Sequence, residues 1–301
     1  MKTDEKIWTE ISLPLSEALE PLVENYMKSL GSLGNAAEIP KVETGEDFNE
    51  IILKGYFAGP VESNRKIVKL LEIFVSSLKL TCLNESAGDI RAKEVYESDW
   101  QKWKRFFKPA AVSKRIVIKP SWERYQKKPH ELIVEIDPGM AFGTGTHEST
   151  RMCIKMLDDI ISGGESALDV GTGSGILAIS AVKLGAEHVY GIDIDKEAVE
   201  VAVSNVRNNG LSDIIKISDV SLDDVNEYFD IVVANILAED LILMREQLIN
   251  RLKKTGYLVL SGILKTKAQS VIDAYIEKQV SLVETLDDGE WSAVLFKKSD
   301  Q

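Results

Sequence analysis

The chain has 301 residues, of which 44% are hydrophobic, so it can bury a sizeable core and is not intrinsically disordered. Its formal net charge of −12 disfavours stable binding to nucleic acid and favours encounter with a basic protein. No long apolar run follows the first charged residues and no stretch of 18 apolar residues occurs, so we expect neither a signal peptide nor a membrane-spanning helix. The sequence has only two cysteines, Cys82 and Cys153, which fits a cytoplasmic protein.

Residues 1–97 alternate short strands with amphipathic helices, which predicts a small α+β domain. We expect strands at 7–13, 51–57 and 89–96. One helix should run from Ser16, a plausible N-cap, to about Leu30, and a second should cover 62–80. Residues 98–110 are interpreted as a linker. Its aromatic residues Trp103, Phe106 and Phe107, which have basic neighbours, would either stack on bases or pack on a neighbouring domain. Packing is favoured because it is the more frequent role of aromatic side chains.

Residues 111–301 are predicted to form one α/β domain. After short strands at 116–118 and 132–136 and a helix over 146–161, with Thr146 as a possible N-cap, strands and helices alternate, which predicts a doubly wound, mostly parallel sheet. The last two strands lie too close for a crossover helix, so they should form an antiparallel hairpin. The seven predicted strands are 167–170, 189–192, 214–217, 231–234, 257–260, 281–284 and 292–296, and the four predicted helices are 175–184, 196–208, 239–252 and 267–279.

A glycine-rich turn follows the first strand of this sheet and is the strongest local signal. Three glycines, Gly171, Gly173 and Gly175, allow a ligand to approach the backbone closely. A dinucleotide-dependent dehydrogenase would carry its third glycine at the position of Ile176, so that alternative is disfavoured. Asp169 would repel a pyrophosphate but suits a ligand with an ammonium group, such as the amino-acid end of S-adenosylmethionine.

Acidic residues end the next two strands. Asp193 can accept hydrogen bonds from both ribose hydroxyls, as acidic residues at this position do. The alternative is that Asp193 caps the following helix, but Asp195 is better placed for that role. Asp219 either faces the adenine edge or is a turn residue.

Asn235 ends the fourth strand and is the candidate catalytic residue. Its side-chain oxygen can accept a hydrogen bond from an amine and aim the nitrogen at a methyl carbon for in-line displacement. The alternative is an Asx turn. No aromatic residue follows closely to stack on a flipped base, which disfavours methylation of nucleic acid. A non-catalytic, cofactor-binding adaptor is a further alternative.

The glycine-rich run at 137–150 is interpreted as a lid over the cofactor. Phe142, the second candidate catalytic residue, could line the methyl site. His147 could act as a base or a ligand, but a structural role near the helix start is favoured. The three histidines and two cysteines show no metal-binding spacing, so we expect no metal.

Taken together, the runs at 137–147, 168–177, 191–195 and 234–238 resemble the PrmA family, methyltransferases of the bacterial ribosomal protein L11. The resemblance covers residues 98–298 and implies S-adenosylmethionine as cofactor, with Thr150, Gly171, Asp193 and Asn235 contacting it and Phe142 as the lid aromatic. It also implies a ferredoxin-like N-terminal domain that captures the substrate.

The activity implied by the resemblance is methylation of lysine side chains and of the N-terminal amine of that basic ribosomal protein, by an enzyme that we expect to be a monomer. The alternative is a lysine methyltransferase acting on another protein, such as an electron-transfer flavoprotein.

Overall fold

The computed structural model describes residues 7–32, 34–38, 50–81, 86–96, 108–137, 147–276 and 279–300. The chain divides into two compact units, Met1–Phe106 and Phe107–Gln301. This division falls inside the segment interpreted as a linker, and the domain boundaries themselves stay a prediction. No helix in the described part of the chain is both long and apolar enough to span a membrane.

The described part of the N-terminal unit forms a four-stranded antiparallel sheet with two helices. Its strands are β1 (Ile7–Ser16), β2 (Gly34–Glu38), β3 (Glu50–Ala58) and β4 (Arg91–Tyr96), in the order β2-β3-β1-β4, and its helices are α1 (Glu20–Ser29) and α2 (Arg65–Thr81). This βαββαβ arrangement is ferredoxin-like. Alternate residues of β1, among them Ile11 and Leu13, are fully buried, as expected for a sheet covered on one face.

Ser16 does not cap a helix, and that prediction was wrong. It is the last residue of β1, where it pairs with Glu50 of β3. A three-residue 3-10 turn, Glu17–Leu19, separates it from α1. The long β1–β3 ladder extends the strand past the point where local capping chemistry favours a helix.

The C-terminal unit begins with a small mixed sheet in the order β5-β6-β7, formed by β5 (Ala110–Ala111), β6 (Ile116–Lys119) and β7 (Leu132–Glu135). It continues as a seven-stranded sheet in the order β10-β9-β8-β11-β12-β14-β13. The strands of this larger sheet are β8 (Ser166–Val170), β9 (His188–Ile192), β10 (Ile215–Ser218), β11 (Phe229–Asn235), β12 (Leu252–Leu264), β13 (Val280–Asp288) and β14 (Trp291–Lys298).

The first five strands of the large sheet run parallel, and β14 pairs antiparallel with both β12 and β13. Two buried apolar clusters lie on its two faces, so the sheet is doubly wound. The predicted α/β architecture and the C-terminal hairpin are therefore confirmed. The helices described in the C-terminal unit are α3 (Glu148–Ile160), α4 (Ile176–Leu184), α5 (Lys196–Asn208), α6 (Ala238–Leu243), α7 (Arg245–Asn250) and α8 (Lys265–Ile276).

The single helix predicted over 239–252 is instead two short helices, α6 and α7, separated at Met244. The Met244 backbone has φ −90° and ψ 8°, outside the α-helical region, and Arg245 donates a side-chain hydrogen bond to the Ile242 carbonyl at the break (3.0 Å). The second helix ends at Asn250 because Leu252 already belongs to β12, where it pairs with Phe229.

Candidate active site

The glycine turn joins β8 to α4 at the carboxyl edge of the large sheet. Gly171, Gly173 and Gly175 all have positive φ, at 71°, 54° and 79°, a region that other residues rarely adopt. The amides of Gly171 and Thr172 donate to the Ile192 carbonyl (2.9 and 3.0 Å), which ties the turn to the end of β9. The turn therefore exposes backbone beside the point where a ligand binds in open α/β sheets.

Asp169 lies under this turn and is 1% exposed. One carboxylate oxygen, Oδ2, accepts hydrogen bonds from the Thr172 hydroxyl (2.7 Å) and the Ala178 amide (3.1 Å). The other, Oδ1, is buried and has no hydrogen-bond partner among the described residues. Burial raises the pKa of this carboxyl to about 7. A buried carboxylate with one unpaired oxygen is suited to receive a cationic group.

Asp193 follows β9 and stabilises the glycine turn through a hydrogen bond. Its Oδ2 accepts from the Gly173 amide (2.9 Å) and its Oδ1 accepts from the Asp195 amide (3.0 Å). Each carboxylate oxygen can accept a further hydrogen bond, so the pair remains available to two ligand hydroxyls. Asp195 is the N-cap of α5 and accepts from the Glu197 amide (2.9 Å), as predicted.

Asp219 follows β10, the neighbour of β9, at the same edge. Its carboxylate is half exposed and lies 4.0 Å from the Lys196 ammonium. The strands bring it close to Asp193, whose amide donates to the Ser218 carbonyl (3.2 Å). Its contact with adenine stays a prediction.

Asn235 is the last residue of β11. Its side-chain amide donates to the Thr150 hydroxyl (3.3 Å), and its Oδ1 is buried without a hydrogen-bond partner in the described part of the chain. In the sheet, Val233 pairs with Asp169, so Asn235 lies one strand across from Asp169 and two residues nearer the edge. Two buried acceptor oxygens that have no partner in the described ranges therefore lie at one edge of the sheet.

His147 is the N-cap of α3, so the prediction of Thr146 as the cap was wrong. The Ser149 amide donates to His147 Nδ1 (3.3 Å), and the Ser149 hydroxyl is 2.8 Å from the same nitrogen. Burial lowers the pKa of His147, which favours the neutral form of the ring. These contacts agree with the structural role favoured for this residue.

Sequence reasoning missed Asn205, which supports the turn from α5. Its side-chain amide donates to the Ser174 carbonyl (2.8 Å), and the residue is 4% exposed. The available signal was its position, because Asn205 lies three residues after Ala202 on the buried face of the helix.

Phe142, Thr146 and the rest of the glycine-rich run at 138–146 lie outside the described residues, as do Trp103, Phe106 and Phe107. Within the described ranges, no group of three or more His, Cys, Asp or Glu side chains is arranged to hold a metal ion.

Close packing at Gly171 leads to a testable prediction. A Cβ at Gly171 (φ 71°) would lie 2.5 Å from Ile236 Cγ2, whereas a Cβ at Gly210 (φ 70°) would meet no atom within 4 Å. Both alanine substitutions carry the cost of positive φ, about 1 kcal/mol, but Gly171→Ala adds overpacking of about 1–3 kcal/mol. Chemical denaturation should therefore show Gly171→Ala to be the less stable variant. Equal losses would contradict the packing seen at this turn.

A doubly wound sheet of this strand order, with the glycine turn after β8 and an acidic residue after β9, defines an S-adenosylmethionine-dependent methyltransferase. A family model described as "Ribosomal protein L11 methyltransferase (PrmA)" matches residues 7–299. The chain belongs to this family.

Relatives agree with this assignment over nearly the whole chain. Proteins named ribosomal protein L11 methyltransferase from Clostridium perfringens and Thermoanaerobacter pseudethanolicus are 37% and 36% identical to the chain, and each match covers 97% of this chain and 99% of the relative. A crystal structure of ribosomal protein L11 methylase from Lactobacillus delbrueckii subsp. bulgaricus aligns with a TM-score of 0.61 and 34% identity, covering 64% of this chain and 100% of that one.

Proposed function

We propose that the protein transfers methyl groups from S-adenosylmethionine to lysine side-chain amines and the N-terminal amine of ribosomal protein L11. The observation that carries the reaction is a pair of buried acceptor oxygens, Asp169 Oδ1 and Asn235 Oδ1, which lie at the carboxyl edge of the sheet and have no partner among the described residues. One acceptor suits the ammonium of the cofactor, and the other suits the amine to be methylated. The family match supports the substrate.

The residues around the glycine turn fit the cofactor. Asp169 Oδ1 would accept from its ammonium group, the only strongly cationic donor on its amino-acid end. The backbone at Gly171, Gly173 and Gly175 would lie against it without side chains intervening. The remaining acceptor capacity of Asp193 would bind the ribose hydroxyls. We further propose that Asp219 faces adenine and that Thr150 completes the site.

The reacting amine is positioned by Asn235. The bound cofactor supplies a methyl group already activated by its sulfonium, so positioning can provide much of the rate. The hydrogen bond to Thr150 fixes the amide orientation, which leaves Oδ1 free to accept an amine hydrogen. The amine must be neutral to attack, and its transfer from water into the site lowers its pKa towards that state. We propose that Phe142, which belongs to the proposed lid, lines the methyl site.

The acidic character of the chain supports a basic protein partner. A net charge of −12 favours encounter with a basic ribosomal protein and disfavours a stable complex with RNA. We propose that residues 1–97 recognise the substrate, that 98–110 link the domains and that 111–301 carry the chemistry. We also propose a cytoplasmic monomer that does not associate with membranes, and light scattering would test its mass.

Transfer of a labelled methyl group tests the proposed function. The purified protein would be incubated with methyl-labelled S-adenosylmethionine and, separately, with L11, an electron-transfer flavoprotein or ribosomal RNA. We expect label in L11, on lysine and N-terminal amines identified by mass spectrometry. Label in the flavoprotein but not in L11 would favour the alternative substrate. Label in RNA alone would contradict protein methylation.

A further inference from the structure

Trp291 is a partly buried aromatic residue at the carboxyl edge of the large sheet. As the first residue of β14 it pairs with Leu264 of β12. Trp291, Ala293 and Leu295 alternate along β14, and all three pack with the cluster beneath α3. The indole meets the His147 ring edge to face, with ring centroids 4.9 Å apart and an interplanar angle of 67°.

The strand order and the contacts of α3 both relate the position of Trp291 to that of Asn235. Across the sheet, β12 lies between β11 and β14, so the two residues are separated sideways by two strand spacings, about 10 Å. Trp291 also lies nearer the outer edge, because it pairs with Leu264 of β12 whereas Asn235 pairs with Ser261. Along α3, Thr150 lies three residues after His147 and contacts the Asn235 amide (3.3 Å). Both relations place the indole on the same face of the sheet as Asn235. They also place it on the opposite side of Asn235 from β8 and β9.

This position is where the incoming amine should arrive. In-line displacement requires the nucleophile to approach opposite the leaving sulfur. The proposed cofactor site extends from β9 through β8 to Asn235 on β11, and β12 and β14 continue in the same direction. A lysine side chain entering from that direction presents four methylenes and a cationic end. An indole suits both, because it is apolar and its ring face attracts ammonium groups.

We propose that Trp291 lines the channel for the substrate lysine, with its indole against the methylene stem. The inference deepens the proposed function and rests on it. His147 acts as a positioning residue, because its ring packs against the indole at a steep angle and restricts its orientation.

The hairpin tip that carries Trp291 is held from both sides, which keeps the indole in place before substrate binds. Arg151 of α3 forms an ion pair with Asp288 (2.8 Å), and the Lys265 amide donates to the Glu290 carbonyl (2.9 Å). Side chains ordered in advance lose less conformational entropy when a ligand binds.

The test compares Trp291→Ala with the conservative Trp291→Phe. For the alanine variant we expect the KM for L11 to rise about tenfold, with kcat within about threefold of wild type. The dissociation constant of S-adenosylhomocysteine, measured by calorimetry, should stay within about twofold. Phenylalanine should restore most of the KM because it keeps an aromatic wall. A residue that only packs in the core would lower the melting temperature without this selective change in KM.

An unchanged KM in a folded alanine variant would overturn the channel role alone, while absence of transfer by the wild type would refute the proposed function and this inference with it. If the alanine variant does not fold, wild type and Trp291→Phe are compared by fluorescence during titration with an amidated, acetylated trimethyl-lysine. Quenching in the wild type that is lost in the phenylalanine variant supports the channel. Identical responses overturn it.

Discussion

Replacing Asn235 with alanine should lower the turnover number for L11 methylation by about 100-fold or more. The substitution removes the one buried acceptor at the end of β11 that lacks a partner among the described residues, so the amine is no longer held for in-line attack. Losses of this size are typical when a group that positions or stabilises the reacting atoms is removed. Single-turnover kinetics with labelled cofactor would measure the effect on the chemical step.

The same variant should still bind the cofactor. Asp169 and Asp193 are unaltered, so we expect the dissociation constant of S-adenosylhomocysteine to change by less than about fivefold, roughly 1 kcal/mol. Asn226 offers a matched control, because its exposed side chain donates only to the Asp224 carbonyl (3.2 Å) among the contacts described, outside the candidate active site. Asn226→Ala should keep wild-type turnover. Full turnover by Asn235→Ala would show that another group orients the amine.

Replacing Asp169 with asparagine should weaken cofactor binding about 100-fold. A hydrogen bond to a charged group contributes about 1.5–3 kcal/mol, and the substitution removes the charge that the cofactor ammonium would contact. The variant keeps the side-chain shape, and its oxygen can still accept from Thr172 and Ala178. We therefore expect it to fold, and calorimetry would report the loss of affinity. Unaltered affinity would mean that the ammonium binds elsewhere.

Cofactor affinity should also depend on pH through Asp169. Burial raises the pKa of this carboxyl to about 7, and binding of an ammonium group requires the ionised form. Below pH 7 the wild-type dissociation constant should rise about tenfold for each unit by which the pH is lowered, because the protonated carboxyl must release one proton before the ammonium binds. Calorimetry from pH 5 to pH 7 should show this slope for wild type and its absence in Asp169→Asn. A flat wild-type profile would contradict the coupling.

The stability of the protein without cofactor should fall as the pH rises, whereas its affinity for the cofactor should increase. A carboxyl whose pKa is raised by folding contributes stability below its unfolded value of about 4, and this contribution is lost as the pH rises to about 7. At pH 8, Asp169→Asn should therefore unfold at a higher temperature than wild type. Thermal unfolding at pH 5 serves as the control, because the two proteins should differ less there.

Much of the fold could be predicted from the sequence because its local signals agree with the tertiary structure. The strands around the glycine turn are short apolar runs, and the short spacing before β14 excludes a crossover helix. Asp195 caps its helix as its position indicates. Where tertiary pairing overrides a local signal, as at Ser16 in the β1–β3 ladder, the prediction was wrong.

Other features depend on contacts between residues that are distant in sequence. β2 has little strand character of its own and pairs with β3 in the folded sheet. The capping role of His147 and the break at Met244 depend on the local backbone path. The residues Asp169 and Asn235 could be selected from the sequence. The sequence does not reveal that each buries one oxygen that lacks a partner in the part of the chain the structure describes. That burial results from packing beneath α3 and the glycine turn.

A crystal structure of the complex with S-adenosylhomocysteine would test the proposed site most directly. We expect the ammonium of the nucleoside within hydrogen-bond distance of Asp169 Oδ1, its ribose hydroxyls on Asp193 and its sulfur towards Asn235. Density for the nucleoside away from this edge, or an Asp169 Oδ1 still without a partner in the complex, would contradict the site described.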